Sequence, residues 1–256
     1  MLTSQNRIKN TVFSSPLLPR KKAITIGCIL FASYIIRLFY AFYYITLSRD
    51  SHTYIGIIKK TTFTNNDLLE AIYPLFTWLY RLPVTIFGLD LEYSSRALNI
   101  ILGTATVYLI IVILQQISDH DFLWITGGVI AATNPSLIHY STQIQRESIY
   151  LFFSSIILLN ILKYIKTRKP VYIFYLGLFS ACNVLVRHES MEYIPFTLLA
   201  IFLANREKGL LQITKYCTCF LGSLIVSVLI ILVIVDPNNY FLKFFFSRIF
   251  KIAVAT

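Results

Sequence analysis

The chain has 256 residues, 56% of them hydrophobic and only 14% charged, where a soluble domain runs near ~45–50% and roughly 25%. That composition excludes a water-covered globule and makes a bilayer the expected solvent. The net charge of +11 is no nucleic-acid footprint, because the Lys and Arg residues fall between apolar runs, where they set membrane topology. No nucleic-acid partner is expected. Arg7, Lys9, Arg20, Lys21 and Lys22 mark residues 1–22 as a basic, cytosolic N-terminus. The apolar run 23–46 exceeds the ~7–15 residues of a signal-peptide core and lacks a small-residue cleavage site. It reads as an uncleaved first span.

A spanning helix needs roughly 17–25 mostly apolar residues. Further candidates follow at 93–115, 122–140, 147–165, 171–187, 191–204 and 216–235, the run at 191–204 being short with Pro195 near its start. Together they predict an all-α fold, a polytopic transmembrane bundle of about seven spans over residues 23–235. Residues 47–92 form its first outer loop. There the segment 71–88 is broken by Pro74, Arg81 and Pro83, and the stretch after Tyr54 is amphipathic, so interfacial helices are predicted. Residues 236–256 are assigned to an outer-side C-terminal segment.

The clusters Lys163, Lys166, Arg168, Lys169 and Arg206, Lys208, Lys215 alternate with the N-terminus and are placed with it in the cytosol. Most carboxylates fall on the opposite side, with His52, His139 and His188. A plain anchor has no need of that concentration of polar chemistry. Cys28, Cys182, Cys217 and Cys219 all lie in apolar stretches, where Cys acts as a small hydrophobe. They predict neither a disulfide framework nor a zinc site.

Four outer segments carry candidate chemistry. The first is Ser48-Arg49-Asp50-Ser51-His52-Thr53-Tyr54, just past the first span. It reads either as a helix N-cap or as a carboxylate held at the membrane surface. The second is Tyr73-Pro74-Leu75 through Phe87-Gly88, with Arg96 beyond it; most of its rings fit an aromatic belt. The third is Asn134-Pro135, His139-Tyr140-Ser141 and Arg146-Glu147, which fits a turn and a helix start with an acid in its first turn. The fourth is Arg187-His188-Glu189, a pocket wall or a solvated turn. A metal site built from His52, His188 and Glu189 has no ligand spacing behind it, so none is expected. Arg37 lies deep in the first span; such a charge marks function, unless it is paired or snorkels.

In their order, these segments resemble the GT-C glycosyltransferases. The resemblance is to the family that holds protein O-mannosyltransferases and bacterial aminoarabinose and related sugar transferases. It rests on Asp50 and Tyr54 in the first outer loop, and on the Tyr73-Pro74-Leu75 to Phe87-Gly88 segment. Arg96-Ala97-Leu98 opening the second span, Pro135 with Tyr140-Ser141, Glu147 and Arg187 continue it, over roughly residues 23–204. Protein O-mannosyltransferases follow the acid with a second acid, whereas Ser51 stands there in this chain, which sets it apart from that subgroup.

The resemblance implies transfer of a sugar from a polyprenyl-phosphate donor to an acceptor on the outer or luminal side. No cofactor is expected, a divalent metal being the alternative without a residue pattern behind it. Asp50 would be the catalytic base, and Tyr54, Glu147, Arg187 and His188 would bind substrate. The membrane is expected to be a bacterial inner membrane, with the endoplasmic reticulum as the alternative. The rival function is a non-catalytic GT-C-like scaffold or a subunit of a lipid-linked-sugar transporter or flippase. A transporter usually shows two related halves with paired broken helices, and no such internal repeat is present. The acceptor's class (glycan, lipid or protein) is not encoded in these residues.

Overall fold

The computed structural model describes residues 19–43, 46–59 and 74–235. The basic residues Arg7 and Lys9, residues 60–73 with Asp67 and Tyr73, and the C-terminal segment 236–256 lie outside them. Among the described residues there are ten α-helices and no strand. In chain order they are α1 (Pro19–Tyr43), α2 (Arg49–Lys59), α3 (Pro74–Phe87), α4 (Leu91–Ile117) and α5 (Asp121–Thr133). They continue with α6 (Pro135–Thr142), α7 (Glu147–Thr167), α8 (Val171–Val186), α9 (Tyr193–Asn205) and α10 (Leu210–Val235). Short 3-10 turns cover His188–Glu192 and Arg206–Lys208.

The fold is an all-α membrane bundle. Helices α1, α4, α7 and α10, of 25, 27, 21 and 26 residues, are long and apolar enough to cross a membrane. At about 1.5 Å per residue each exceeds the ~30 Å of hydrocarbon. Phe31 and Phe39 on α1, and Ile225, Val226, Val233 and Ile234 on α10, are exposed. In water such faces would form large apolar patches; in lipid they need no cover.

The remaining expected spans are shorter. The run 122–140 is split at Asn134. Pro135 has no N–H to continue the α5 ladder, and Asn134 turns to an extended conformation, accepting a 3.0 Å hydrogen bond from the Leu137 N–H. Residues 171–187 form a helix of 16 residues. The run 191–204 becomes α9, 13 residues, because the charged His188–Glu192 stretch winds as a 3-10 turn ahead of it. Between the first two long helices, α2 and α3 have 11 and 14 residues, both too short to span. Pro83 lies inside α3, and Gly88 ends it with φ +63°, a conformation that favours glycine.

Three buried clusters hold the helices together. Val107, Ile111, Trp124 and Ala132 join α4 to α5, with Ile29 from α1. Ile157, Tyr164, Ile173, Leu176, Ile201 and Phe220 join α7, α8, α9 and α10. The third cluster, with Ile58, Phe76, Tyr80, Leu91, Ile149, Leu185 and Leu232, draws α2, α3, α4, α7, α8 and α10 to one end. Close helix contact depends on small residues there: a Cβ on Gly177 of α8 would lie 2.8 Å from the backbone N of Leu224 on α10. At the opposite, basic end, Lys22 pairs with Asp121 at 3.8 Å and lies 5.5 Å from the Trp124 ring centre. Lys166 reaches the carbonyl of Gln116 there.

Candidate functional site

Asp50 lies in the first turn of α2. The cap of this helix is Ser48, not Asp50: its Oγ accepts the Ser51 N–H at 3.2 Å, and its carbonyl accepts the His52 N–H at 3.2 Å. The carboxylate is therefore not engaged in capping. It is exposed, without a hydrogen bond or ion pair to any described residue. The far end of α2 is closed by Arg81 of α3, whose Nε donates to the Ile58 carbonyl at 2.9 Å.

Beside the start of α2 runs the turn between α6 and α7. Gln143, Ile144 and Gln145 are buried. The Gln143 Oε1 accepts from the Ser48 N–H at 2.9 Å and from the Ser51 hydroxyl at 3.3 Å. Its Nε2 donates to the Thr46 carbonyl at 3.4 Å, and the Gln145 Nε2 donates to the Ser48 Oγ at 3.0 Å. Behind the turn, Asn99 of α4 donates to the Gln143 carbonyl at 2.5 Å. The Tyr80 hydroxyl, fully buried, donates to the Asn99 Oδ1 at 2.5 Å and reaches the Gln145 carbonyl at 3.3 Å. Burial above all pushes this phenol well above its usual range, and Glu147 and Tyr54 reinforce the shift.

The turn leads into Arg146 and Glu147, where an ionic cluster meets the 3-10 turn after α8. Arg187 lies 3.5 Å from the Glu147 Oε1 and 3.3 Å from the Glu189 Oε2. Its guanidinium carbon is 5.1 Å from the Tyr150 ring centre. Arg146 approaches Glu189 at 3.8 Å, and the Tyr150 hydroxyl donates to Glu192 at 3.0 Å. His188 is half-buried beside Arg187. Burial works to raise the Glu189 carboxyl, but its own backbone N–H and the charges of Arg187 and Arg146 outweigh that and hold it below its usual range. Arg187 is thus oriented by two carboxylates and a ring, and an anion binding there must compete with Glu147 and Glu189.

Of the residues singled out in the sequence, Glu147 and Arg187 are in direct contact, with His188 adjacent in the chain. Tyr54 stands apart, edge-on to Phe76 at 5.0 Å, which in turn meets Tyr80 at 4.7 Å. Asp50 has no hydrogen bond or ion pair with any of them; Ser48, Gln145 and Arg146 link its helix to the cluster. Among the described residues no three His, Cys, Asp or Glu side chains converge as metal ligands. Arg37 neither snorkels nor meets an acid among the described residues. It is fully buried, donating to the Ser33 carbonyl and Oγ at 3.2 and 2.5 Å and to the Ala132 carbonyl at 3.3 Å. Beside it a cavity of about 10 Å³, lined by Gly103, Thr106, Tyr140 and Ser148, has room for one water.

Sequence reasoning passed over Gln143, Gln145 and Asn99. The signal for the first two is the pair of uncharged amides flanking Ile144, directly before Arg146-Glu147.

Comparison with protein families matches residues 72–233 to the family model described as dolichyl-phosphate-mannose-protein mannosyltransferase. Glu147, Arg187 and His188 lie within the matched residues, and Asp50 and Tyr54 precede them. No curated protein and no solved structure matches the chain.

Proposed function

The chain belongs to the dolichyl-phosphate-mannose-protein mannosyltransferase family, of the GT-C type, and we propose that it transfers a sugar from a polyprenyl-phosphate donor to an acceptor at the outer or luminal membrane face. The observation that carries this reading is the pairing of chemistries at one end of the bundle. An exposed, uncapped carboxylate, Asp50, shares that end with the oriented guanidinium of Arg187.

In the proposed reaction Asp50 accepts the proton of the acceptor hydroxyl. The acceptor oxygen bonds to the anomeric carbon as the bond from that carbon to the phosphate oxygen breaks. Polyprenyl phosphate departs as an anion that needs no proton, so one base is enough; glycosidases usually need a second carboxyl group for a poorer leaving group. Arg187 takes the phosphate through paired N–H donors, exchanging its contacts with Glu147 and Glu189. Tyr54, Glu147 and His188 complete the substrate-binding wall. No cofactor enters these steps. The preferred membrane is a bacterial inner membrane, with the endoplasmic reticulum as the alternative.

The test is a transfer assay on membranes containing the full chain, with tritiated dolichyl-phosphate mannose and undecaprenyl-phosphate aminoarabinose as donors. Radiolabel appearing in a lipid, glycan or protein fraction only when the chain is present supports the proposal. Label that crosses the bilayer without leaving its lipid would replace it with the flippase reading. No movement of label would favour the scaffold.

A further inference from the structure

We infer that Gln143 is a positioning residue that sets the place of Asp50, an inference that rests on the reading of Asp50 as the base. The observation is the way one carboxamide addresses the chain on both sides of Ser48. Its oxygen accepts from the Ser48 N–H at 2.9 Å and the Ser51 hydroxyl at 3.3 Å. Its nitrogen donates to the Thr46 carbonyl at 3.4 Å. Asp50 lies between Ser48 and Ser51, so these bonds fix the peptide on either side of it. Gln145 adds a bond to the Ser48 Oγ at 3.0 Å, holding the cap residue from the same turn.

The clamp is itself anchored. Asn99 and Tyr80, both fully buried, hold the carbonyls of Gln143 and Gln145 from α4 and α3. The hold therefore runs from a long membrane helix, through a buried turn, to the first turn of α2. At that end Leu47 and Tyr54 pack against the core, and the polar bonds from Gln143 and Gln145 add direction to that packing. Of its 11 residues only Ser51 and Ile58 are buried, and Arg81 secures the opposite end. A helix this short is marginal on its own. Without the clamp, the turn carrying Asp50 would fray while the rest of α2 stayed on α3. A base must sit within hydrogen-bond reach of the proton it takes, and a displacement of about 1 Å can slow a reaction by ~10²-fold.

Two variants separate positioning from folding. Gln143→Met keeps the length of the side chain and removes all three bonds. Gln143→Glu keeps the acceptor for Ser48 and Ser51 and loses only the donor to Thr46. The full chain in lipid nanodiscs is followed by amide hydrogen exchange and by transfer kinetics with the same tritiated donors. In Gln143→Met, exchange should rise at residues 50–54 while α4 and α7 stay protected. Its kcat should fall by roughly 10- to 100-fold with the donor KM within twofold, and Gln143→Glu should recover most of both.

Unchanged exchange at residues 50–54 in Gln143→Met would overturn the inference. So would raised exchange with an unchanged kcat, provided that Asp50→Asn abolishes transfer. If Asp50→Asn is silent as well, the base assignment fails and takes the inference with it.

Discussion

Asp50 and Arg187 stand in opposite electrostatic situations, and that contrast governs what their substitutions should do. Asp50 is exposed and has no ion pair among the described residues, so replacing it changes little but the charge. Arg187 is shared between Glu147 and Glu189, so its loss releases two carboxylates of like charge. Arg187→Ala should raise the donor KM by about 10- to 100-fold, the equivalent of a charge-assisted hydrogen bond worth ~1.5–3 kcal/mol. Arg187→Lys should not restore it, because an ammonium lacks the paired fork. A KM unchanged in Arg187→Ala would remove Arg187 from the phosphate site. The Glu189 carboxyl is held below its ordinary value, and the sign follows from that. Its contribution to stability is present above the unfolded carboxylate pKa of about 4.3 and is lost as the pH falls through the folded value. Thermal unfolding of Glu189→Gln should thus differ from wild type at pH 7 and converge on it in acid; an equal difference at both would contradict the pairing. Tyr80→Phe should destabilise by about 1–3 kcal/mol, since it leaves the buried Asn99 Oδ1 without its donor. The charged residues of this end were legible in the sequence because charge is rare in an apolar chain. The amides were not. Gln143 and Asn99 carry no charge, and their partners lie 19 to 97 residues away along the chain.

Helices follow the apolar runs, and their ends follow local chemistry. Asp90 caps α4 by accepting the Glu92 and Tyr93 N–H groups at 2.9 and 3.1 Å, so the second span begins where the sequence placed it. Hydrophobicity alone did not register the split of 122–140 into α5 and α6, because every residue near Asn134-Pro135 is apolar or neutral. What divides them is the missing N–H of Pro135. Helix packing was equally hidden: the contact of α8 with α10 depends on the absence of a side chain at Gly177. Gly177→Val should destabilise the bundle by about 1–3 kcal/mol through overpacking, because the atoms it meets include Cβ of Ser223 and the backbone N of Leu224, which cannot swing away. Gly222→Ala, where nothing lies within 4 Å, is the control. Thermal unfolding in nanodiscs reads both, and an equal melting temperature for Gly177→Val and wild type would show that the helices do not approach as described.

At the scale of the whole molecule, composition indicated a bilayer and the lengths of the apolar runs an all-α bundle, and the four long apolar helices agree. The two ends differ in kind: Lys22 pairs with Asp121 at one, where Lys166 reaches the Gln116 carbonyl, and Asp50 and the Glu147–Arg187 pair lie at the other. In a background without Cys28, Cys182, Cys217 and Cys219, Lys166→Cys and Lys208→Cys should label only from the cytosol. His52→Cys and Glu189→Cys should label only from outside; labelling of position 52 and position 166 from the same face would break the topology. The measurement that bears most directly on the account is transfer from a tritiated polyprenyl-phosphate sugar by wild type and Asp50→Asn, reconstituted at equal amounts. Asn keeps the size of the side chain and leaves the Ser48 cap intact, so insertion and melting temperature should match wild type. The rate should fall by ~10²–10⁴-fold, the loss expected for a general base. Transfer by Asp50→Asn within about threefold of wild type, far above that range, would contradict the assignment of Asp50 as the base.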